Sequence, residues 1–149
     1  MSVDVAPEIV IARPRAEVAA YMFDPTKDME WTGGIVDCKP LTPGLLRKGS
    51  KVERTSKFLG RRFAYLVEVT EHEDDTFVQM SVTEPFPMQI RYELEDVDGG
   101  KSTRARIRAR GEATGFFRIA GPLMSPMVRS SIAKDLERLK NAVERRSSR

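Results

Sequence analysis

Hydrophobic and polar residues alternate with a period of two through most of residues 50–113, and a helical period takes over toward both ends of the chain. "SKVERTSKF" (50–58) sends Lys51, Glu53, Thr55 and Lys57 to one face and Val52, Arg54, Ser56 and Phe58 to the other, as in a strand. "RRFAYLVEVT" (61–70) follows a Leu59-Gly60 turn, and "TFVQMSVT" (76–83) follows an acidic stretch, "EHEDD", read as a loop. "MQIRYELEDV" (88–97) and "KSTRARIRARGEA" (101–113) flank Gly99-Gly100, a hairpin signal because both central turn residues can take a positive φ. Met124, Val128, Ile132, Leu136, Leu139 and Val143 then recur in steps of four and three, which predicts a long amphipathic helix.

Ahead of the strands, "VAPEIVIA" (5–12) reads as β, and "RPRAEVAAYMF" (13–23) reads as a helix with Pro14 suited to its first turn. "DPTKDMEW" predicts a second short helix, with Asp24 as the cap, Pro25 at the first position and Gly33-Gly34 releasing the chain. The order is that of an α+β domain: strand, two short helices, an antiparallel meander and one long helix, with helices against one face of the sheet. No repeat or internal linker divides it, so residues 1–149 are expected to form a single domain with a frayed tail at 146–149.

A two-residue Gly99-Gly100 turn makes the numbers of facing residues sum to 199. Glu95 then faces Arg104, Glu93 faces Arg106 and Gln89 faces Arg110, with Arg91 opposite Arg108 as the unfavourable pair that diagonal glutamates relieve. The other face pairs Leu94 with Ala105, Tyr92 with Ile107, Ile90 with Ala109 and Met88 with Gly111. "RARIRAR" is therefore expected to be a solvated, self-neutralised face and not a nucleic-acid stripe. On the inner face, the small residues from Ala105 to Ala113 imply either close approach of the long helix or a cavity. Methionines at 80, 88, 124 and 127 suit an adaptable pocket wall and equally suit plain gap-filling.

Inward polar residues sharpen the question. The same hairpin logic sets Arg54 opposite Tyr65, and an inward arginine is costly unless paired. Either the two form a polar end of a pocket that holds a carboxylate or phenol oxygen, or Arg54 reaches water or pairs with Glu84 or another internal acid. Trp31, the single tryptophan, stands at the end of the second short helix as a core plug or a cavity wall. His72 is expected to be exposed, Cys38 to be an inert thiol, and Asp24, Asp28 and Glu30 to serve as capping and solvent-facing helix positions.

Composition narrows the classes further. A hydrophobic share of 40% and a charged share of 32% describe a soluble chain, and no apolar run approaches the roughly 20 residues of a membrane helix. No signal-peptide pattern opens the sequence, and one cysteine fits a reducing cytoplasm. A net charge of +3 is too mild to argue for nucleic acid. One histidine and one cysteine do not make a transition-metal site, and neither a phosphate loop nor a nucleophile elbow is present. No cofactor is expected, nor stable membrane insertion.

"IARPRAEVAAYMFDP" followed shortly by Trp31, the Gly49-x-x-Val52 strand entry, and the closing "DLERLKNAVE" resemble the START/Bet v 1-like (SRPBCC) superfamily, in its polyketide cyclase/dehydrase-like branch. The resemblance spans nearly the whole chain. It implies a helix-grip fold: a curved antiparallel sheet, usually of seven strands, wrapped around a long C-terminal helix, with two short helices after the first strand. It implies a cavity between sheet and helix for an apolar small molecule such as a lipid, polyketide or aromatic compound. By position, Trp31, Tyr65, Met80, Met88, Ile90, Tyr92, Ile107, Met124, Met127 and Val128 are the expected lining, with Arg54 at its polar end. The expected function is binding or carriage of such a molecule. Cyclase, dehydratase or isomerase chemistry using Tyr65, Tyr92 and Arg54 stands as the alternative, and a regulatory protein-interaction module as a further one. No catalytic residue carries over from the resemblance. Gly115, Gly121, Pro122 and Pro126 suggest a gate near the cavity mouth, over 115–127. A monomer or weak homodimer in the cytoplasm is expected.

Overall fold

The computed structural model describes residues 2–58, 60–84, 87–112 and 124–146. Eight strands form one antiparallel sheet: β1 (Ser2–Val5), β2 (Glu8–Ile11), β3 (Ile35–Pro40), β4 (Lys51–Phe58), β5 (Arg61–Glu73), β6 (Phe77–Val82), β7 (Met88–Val97) and β8 (Ser102–Glu112). Strands β3 to β8 are neighbours in chain order, and the sheet closes with β1 and β2 both on β8. These two are halves of one strand, since Val5 opposite Ala109 and Glu8 opposite Arg106 belong to a single register. The break falls at Ala6-Pro7, where proline has no N–H to give the ladder, although the Pro7 carbonyl still accepts from Ile107 N at 3.1 Å. The sequence reading of one strand over 5–12 is corrected accordingly, and with the halves joined the sheet is the seven-stranded one of the helix-grip.

The last hairpin keeps the expected register in full, from Val97 opposite Ser102 to Met88 opposite Gly111. Gly99 (φ 66°) and Gly100 (φ 87°) are the central turn residues, and Lys101 N donates to Asp98 O across them at 3.2 Å. On the outer face Glu95 meets Arg104 at 3.4 Å, Glu93 meets Arg106 at 3.5 Å, and Gln89 accepts from Arg110 at 2.8 Å. The first strand extends the ladder, with Glu8 2.8 Å from Arg106 and Asp4 2.9 Å from Arg108. Arg91 donates to Glu93 at 2.6 Å, so each member of the like-charged Arg91/Arg108 pair has its own acid. Arg104, Arg106 and Arg108 of the stripe are thus paired with acids in place, and Arg110 bonds the neutral Gln89.

β5 runs three residues further than its sequence pattern, through Glu71, His72 and Glu73. A register shift between Val69 and Glu71 inserts one residue and re-phases the strand, which the alternation alone could not reveal. His72 is consequently half-buried and not in an exposed loop: its Nδ1 accepts from Lys48 N at 2.8 Å and its Nε2 lies 3.2 Å from Asp74.

Helix α1 (Arg15–Met22) starts one residue after Pro14, which occupies the cap itself. A 3-10 turn at Pro25–Lys27 and a single α turn, α2 (Asp28–Trp31), follow, with the Asp24 carboxylate accepting from Thr26 N at 3.0 Å. Helix α3 (Met124–Arg146) packs along β1 and β2 and against α1 and α2. Its Leu136, Leu139 and Val143 are buried with Ile11, Val18, Met22 and Trp31 in the core. Arg146, expected at the start of a frayed tail, is helical and sets its guanidinium 5.2 Å from the Tyr21 ring centre. Among the described residues no helix is long and apolar enough to cross a membrane.

For the described small inward residues of β8 the close neighbours are α1 and the chain at Pro87, not the long helix whose approach was one of the two expected explanations. Helix α1 rests on β7 and β8, where Ala105 is fully enclosed, and a Cβ at Gly111 would stand 3.0 Å from the Pro87 carbonyl oxygen. Gly100, at φ 87°, holds a positive φ that favours glycine. Gly100→Val is expected to lower stability by about 1–2 kcal/mol, and Gly100→Asn by clearly less. Urea unfolding of the two variants checks this, and equal losses would show that the positive φ is not the cause.

Candidate ligand cavity

The inner face of the sheet and the N-terminal half of α3 enclose a cavity of about 140 Å3. Alternation supplies its sheet side, with Phe63 and Tyr65 two apart on β5, Met88 and Ile90 two apart on β7, and Val82 from β6. Helical spacing supplies the other, with Val128 and Ile132 four apart on α3 and Ser131 beside them. A dry cavity of about 150 Å3 accommodates a benzene ring, so this space suits one ring or a short branched chain. Its polar lining is Lys57, Ser131 and a hydroxyl pair, Ser56 Oγ and Tyr65 OH, 2.6 Å apart. Within the pair one hydroxyl donates to the other, which leaves a single O–H hydrogen for a ligand acceptor.

Outward the cavity adjoins a groove of about 530 Å3, with Gly34, Lys57 and Ser131 common to both. The groove adds Gly33, Pro126, Met127, Ser130, Lys134 and Arg138. Asp135 ties its two sides together, accepting from Gly33 N at 2.9 Å and from Arg138 Nη1 at 2.8 Å. Burial raises the Asp135 pKa, against the lowering effect of the Gly33 N–H and the Arg138 charge.

Arg54 lies beside this space, not in its wall. Its Nε and Nη2 both donate to Asp28 Oδ2, at 3.0 and 2.7 Å, and both side chains are enclosed, at 1% and 0% exposure. Asp28 is therefore no solvent-facing helix position, because the one-turn helix α2 aims it inward at the guanidinium. The expected ligand-holding role of Arg54 is corrected for the same reason: its charge is already answered by an internal acid. Burial works against the Arg54 charge, but Tyr92, Asp28 and Tyr65 more than offset it and raise its pKa. Cys38 Sγ donates to the same Asp28 oxygen at 3.3 Å. Burial, then the Asp28 charge and this hydrogen bond, push the thiol up to about 12 against the opposing pull of Arg54. Among the described residues Asp28 Oδ1 and Trp31 Nε1 are buried with no hydrogen-bond partner.

Of the expected lining, Tyr65, Met88, Ile90 and Val128 meet in the cavity wall, and Met127 lines the outer groove. Trp31 is a core residue, fully enclosed and set edge-on to Tyr92 with ring centres 5.8 Å apart. Met80, Tyr92 and Ile107 are likewise enclosed in the core and absent from the cavity wall. The side chain of Met124 lies outside the described residues, as does the expected gate through residue 123. Phe63 and Ile132 also line the cavity, and both sit in phase with expected lining residues: Phe63 alternates with Tyr65, and Ile132 is one turn from Val128. Among the described residues no group of three His, Cys, Asp or Glu side chains is placed to hold a metal ion.

Residues 2–144 match the family described as "Polyketide cyclase / dehydrase and lipid transport". The chain belongs to this family. A comparison with curated protein sequences returns no match. Solved structures share the fold at low identity. TTHA0849 from Thermus thermophilus superposes with a TM-score of 0.78 at 16% identity, covering 97% of this chain and 99% of its own. The Zhui aromatase/cyclase from Streptomyces sp. R1128 gives 0.74 at 15% identity, with coverages of 99% and 96%. Ara h 8.0201 gives 0.66 at 13% identity, with coverages of 96% and 98%. Such likeness establishes the helix-grip fold and leaves function to the site.

Two expectations test the buried cluster. Asp28→Asn strands the Arg54 charge and is expected to cost about 3–5 kcal/mol, while Asp28→Leu with Arg54→Met recovers most of that loss. Urea unfolding reads both, and a loss below about 1 kcal/mol for Asp28→Asn would contradict the pairing. A thiol shifted from 9.0 to about 12 is scarcely ionised at pH 8. Native Cys38 should then react with a disulfide reagent at least about a hundredfold more slowly than the urea-unfolded chain. Equal rates would show the thiol to be unperturbed.

Proposed function

We propose that the chain binds or carries a small, largely apolar molecule of lipid, polyketide or aromatic type in the cavity between sheet and α3. The observation that carries this reading is the composition of the wall: five apolar or aromatic side chains from three strands and two aliphatic ones from α3, with the Ser56–Tyr65 hydroxyl pair at one side and Lys57 and Ser131 at the border with the outer groove. Enclosure by apolar groups supplies affinity, and the free O–H hydrogen orients a carbonyl or phenol oxygen. At about 140 Å3 the inner space holds one ring, and a larger ligand extends into the adjoining groove. The chain is proposed to act in this way as a monomer or weak homodimer in the cytoplasm, where its one thiol stays reduced.

Cyclase- or dehydratase-type turnover is the second reading, and the Ser56–Tyr65 pair favours it, because a hydroxyl donor in contact with the cavity can also polarise a ligand carbonyl. Titration calorimetry with 4-ethylphenol tests the binding reading. Wild-type protein is expected to bind, and Ile132→Trp, which fills the inner space, is expected to weaken binding more than tenfold while the circular dichroism spectrum is kept. Undiminished binding by Ile132→Trp would sink the proposal. Turnover of a polyketide substrate that Tyr65→Phe abolishes would favour the enzyme instead.

A further inference from the structure

We infer that the molecule held here is an amphiphile with a carboxylate head, whose apolar body fills the cavity and whose head lies in the outer groove against Lys134 and Arg138. The inference rests on the cavity reading above and fixes the ligand's polarity and direction. The inner end is closed to an anion. Lys57 stands only where the cavity meets the groove, Arg54 is enclosed and bonded twice to Asp28, and the hydroxyls of Ser56 and Tyr65 are neutral and already joined.

The outer end is the reverse. Lys57, Lys134 and Arg138 contribute to the groove, and none of its described lining residues is an acid. Asp135, the nearest carboxylate on α3, is already taken up by Gly33 N and Arg138 Nη1 through one oxygen. Arg138 gives only Nη1 to that contact and keeps further N–H donors, while Lys134 has no acidic partner among the described residues. Lys134 and Arg138 stand four apart on one helix face, with Ser130 one turn before Lys134, so charge and hydroxyl donors line up along the groove. Gly34, Lys57 and Ser131 border both spaces, which sets the cavity and the groove side by side for one molecule to occupy. An apolar body without a head would leave Lys134 without an acid among the described residues, whereas a carboxylate gains charge-assisted hydrogen bonds from it and from the spare N–H groups of Arg138.

The test compares 4-ethylbenzoate with its neutral isostere 4-ethylbenzamide by titration calorimetry at low salt. Wild-type protein is expected to prefer the carboxylate by about five- to tenfold, as suits partly exposed cations, and to lose most of that preference in 0.5 M NaCl. Lys134→Gln should cut the preference at least threefold, and Lys134→Gln with Arg138→Gln should abolish it, the amide changing less than twofold in either. The single variant removes an exposed side chain that anchors nothing, so it reads the head site even where loss of Arg138 disturbs the Gly33 contact. Lys101→Gln, the same charge change in the distant β7–β8 turn, should leave the preference intact. Equal affinity for both probes, a preference that survives the double variant, or one that Lys101→Gln removes equally would overturn the inference and leave the cavity reading standing. Binding of neither probe would overturn both.

Discussion

A guanidinium enclosed in the core of a small domain must have its counter-charge fixed beside it, and much of the inner architecture follows from meeting that need. Arg54 points inward because it sits in phase with Val52 and Ser56 on β4. Asp28 answers it from α2, a helix of one turn that has little reason to hold its place by propensity alone. The pair therefore pins α2 to the sheet, and what α2 carries is pinned with it. Trp31 is set against Tyr92, and Gly33-Gly34 is brought to the flank of α3 where Asp135 receives it. Replacing such a pair with apolar residues is often neutral for stability. Its distinctive contribution is to specify where α2 lies.

The cavity is a by-product of the same geometry. A sheet that wraps a helix leaves space wherever side chains from the two surfaces stop short of each other. Here α3 is drawn toward the first strand and toward α1 and α2, on the β8 side of the sheet. On the opposite half, β5 to β7 face Val128 and Ile132 near the start of the helix, and there Phe63, Tyr65, Ile90 and Val128 line an opening that they do not fill. Bulges at Ile35/Asp37 and Val69/Glu71 add to the bending of β3 and β5 that makes this asymmetry possible.

What could be read in advance follows the range of the interaction concerned. The β7–β8 register was legible because a wrong register would have set charges against apolar residues at every step. Asp24 was legible because a cap is a local event. Asp28 was not, since nothing within α2 distinguishes a buried acid from an exposed one, and its partner lies 26 residues away. Alternation told which face Met80, Tyr92 and Ile107 occupy but not how deeply they are covered, so they were placed in the cavity wall together with Tyr65, Met88, Ile90 and Val128. The far end of β5 escaped because its bulge at Thr70 carries no glycine or proline to mark it. Family membership was legible in the order of elements, whereas the ligand is a property of depth and of charges gathered from distant segments.

The break at Ala6-Pro7 bears on how copies of this protein behave toward one another. An open sheet has two free borders, here the split first strand and β3. Long, straight borders invite edge-to-edge pairing and, from it, fibrous aggregation. One border is cut into two pieces of four residues each. The other is six residues long, is bulged at its start and ends at Pro40. Neither offers an uninterrupted template to a second chain, so the sheet stays open without presenting a long straight edge for strand-to-strand pairing.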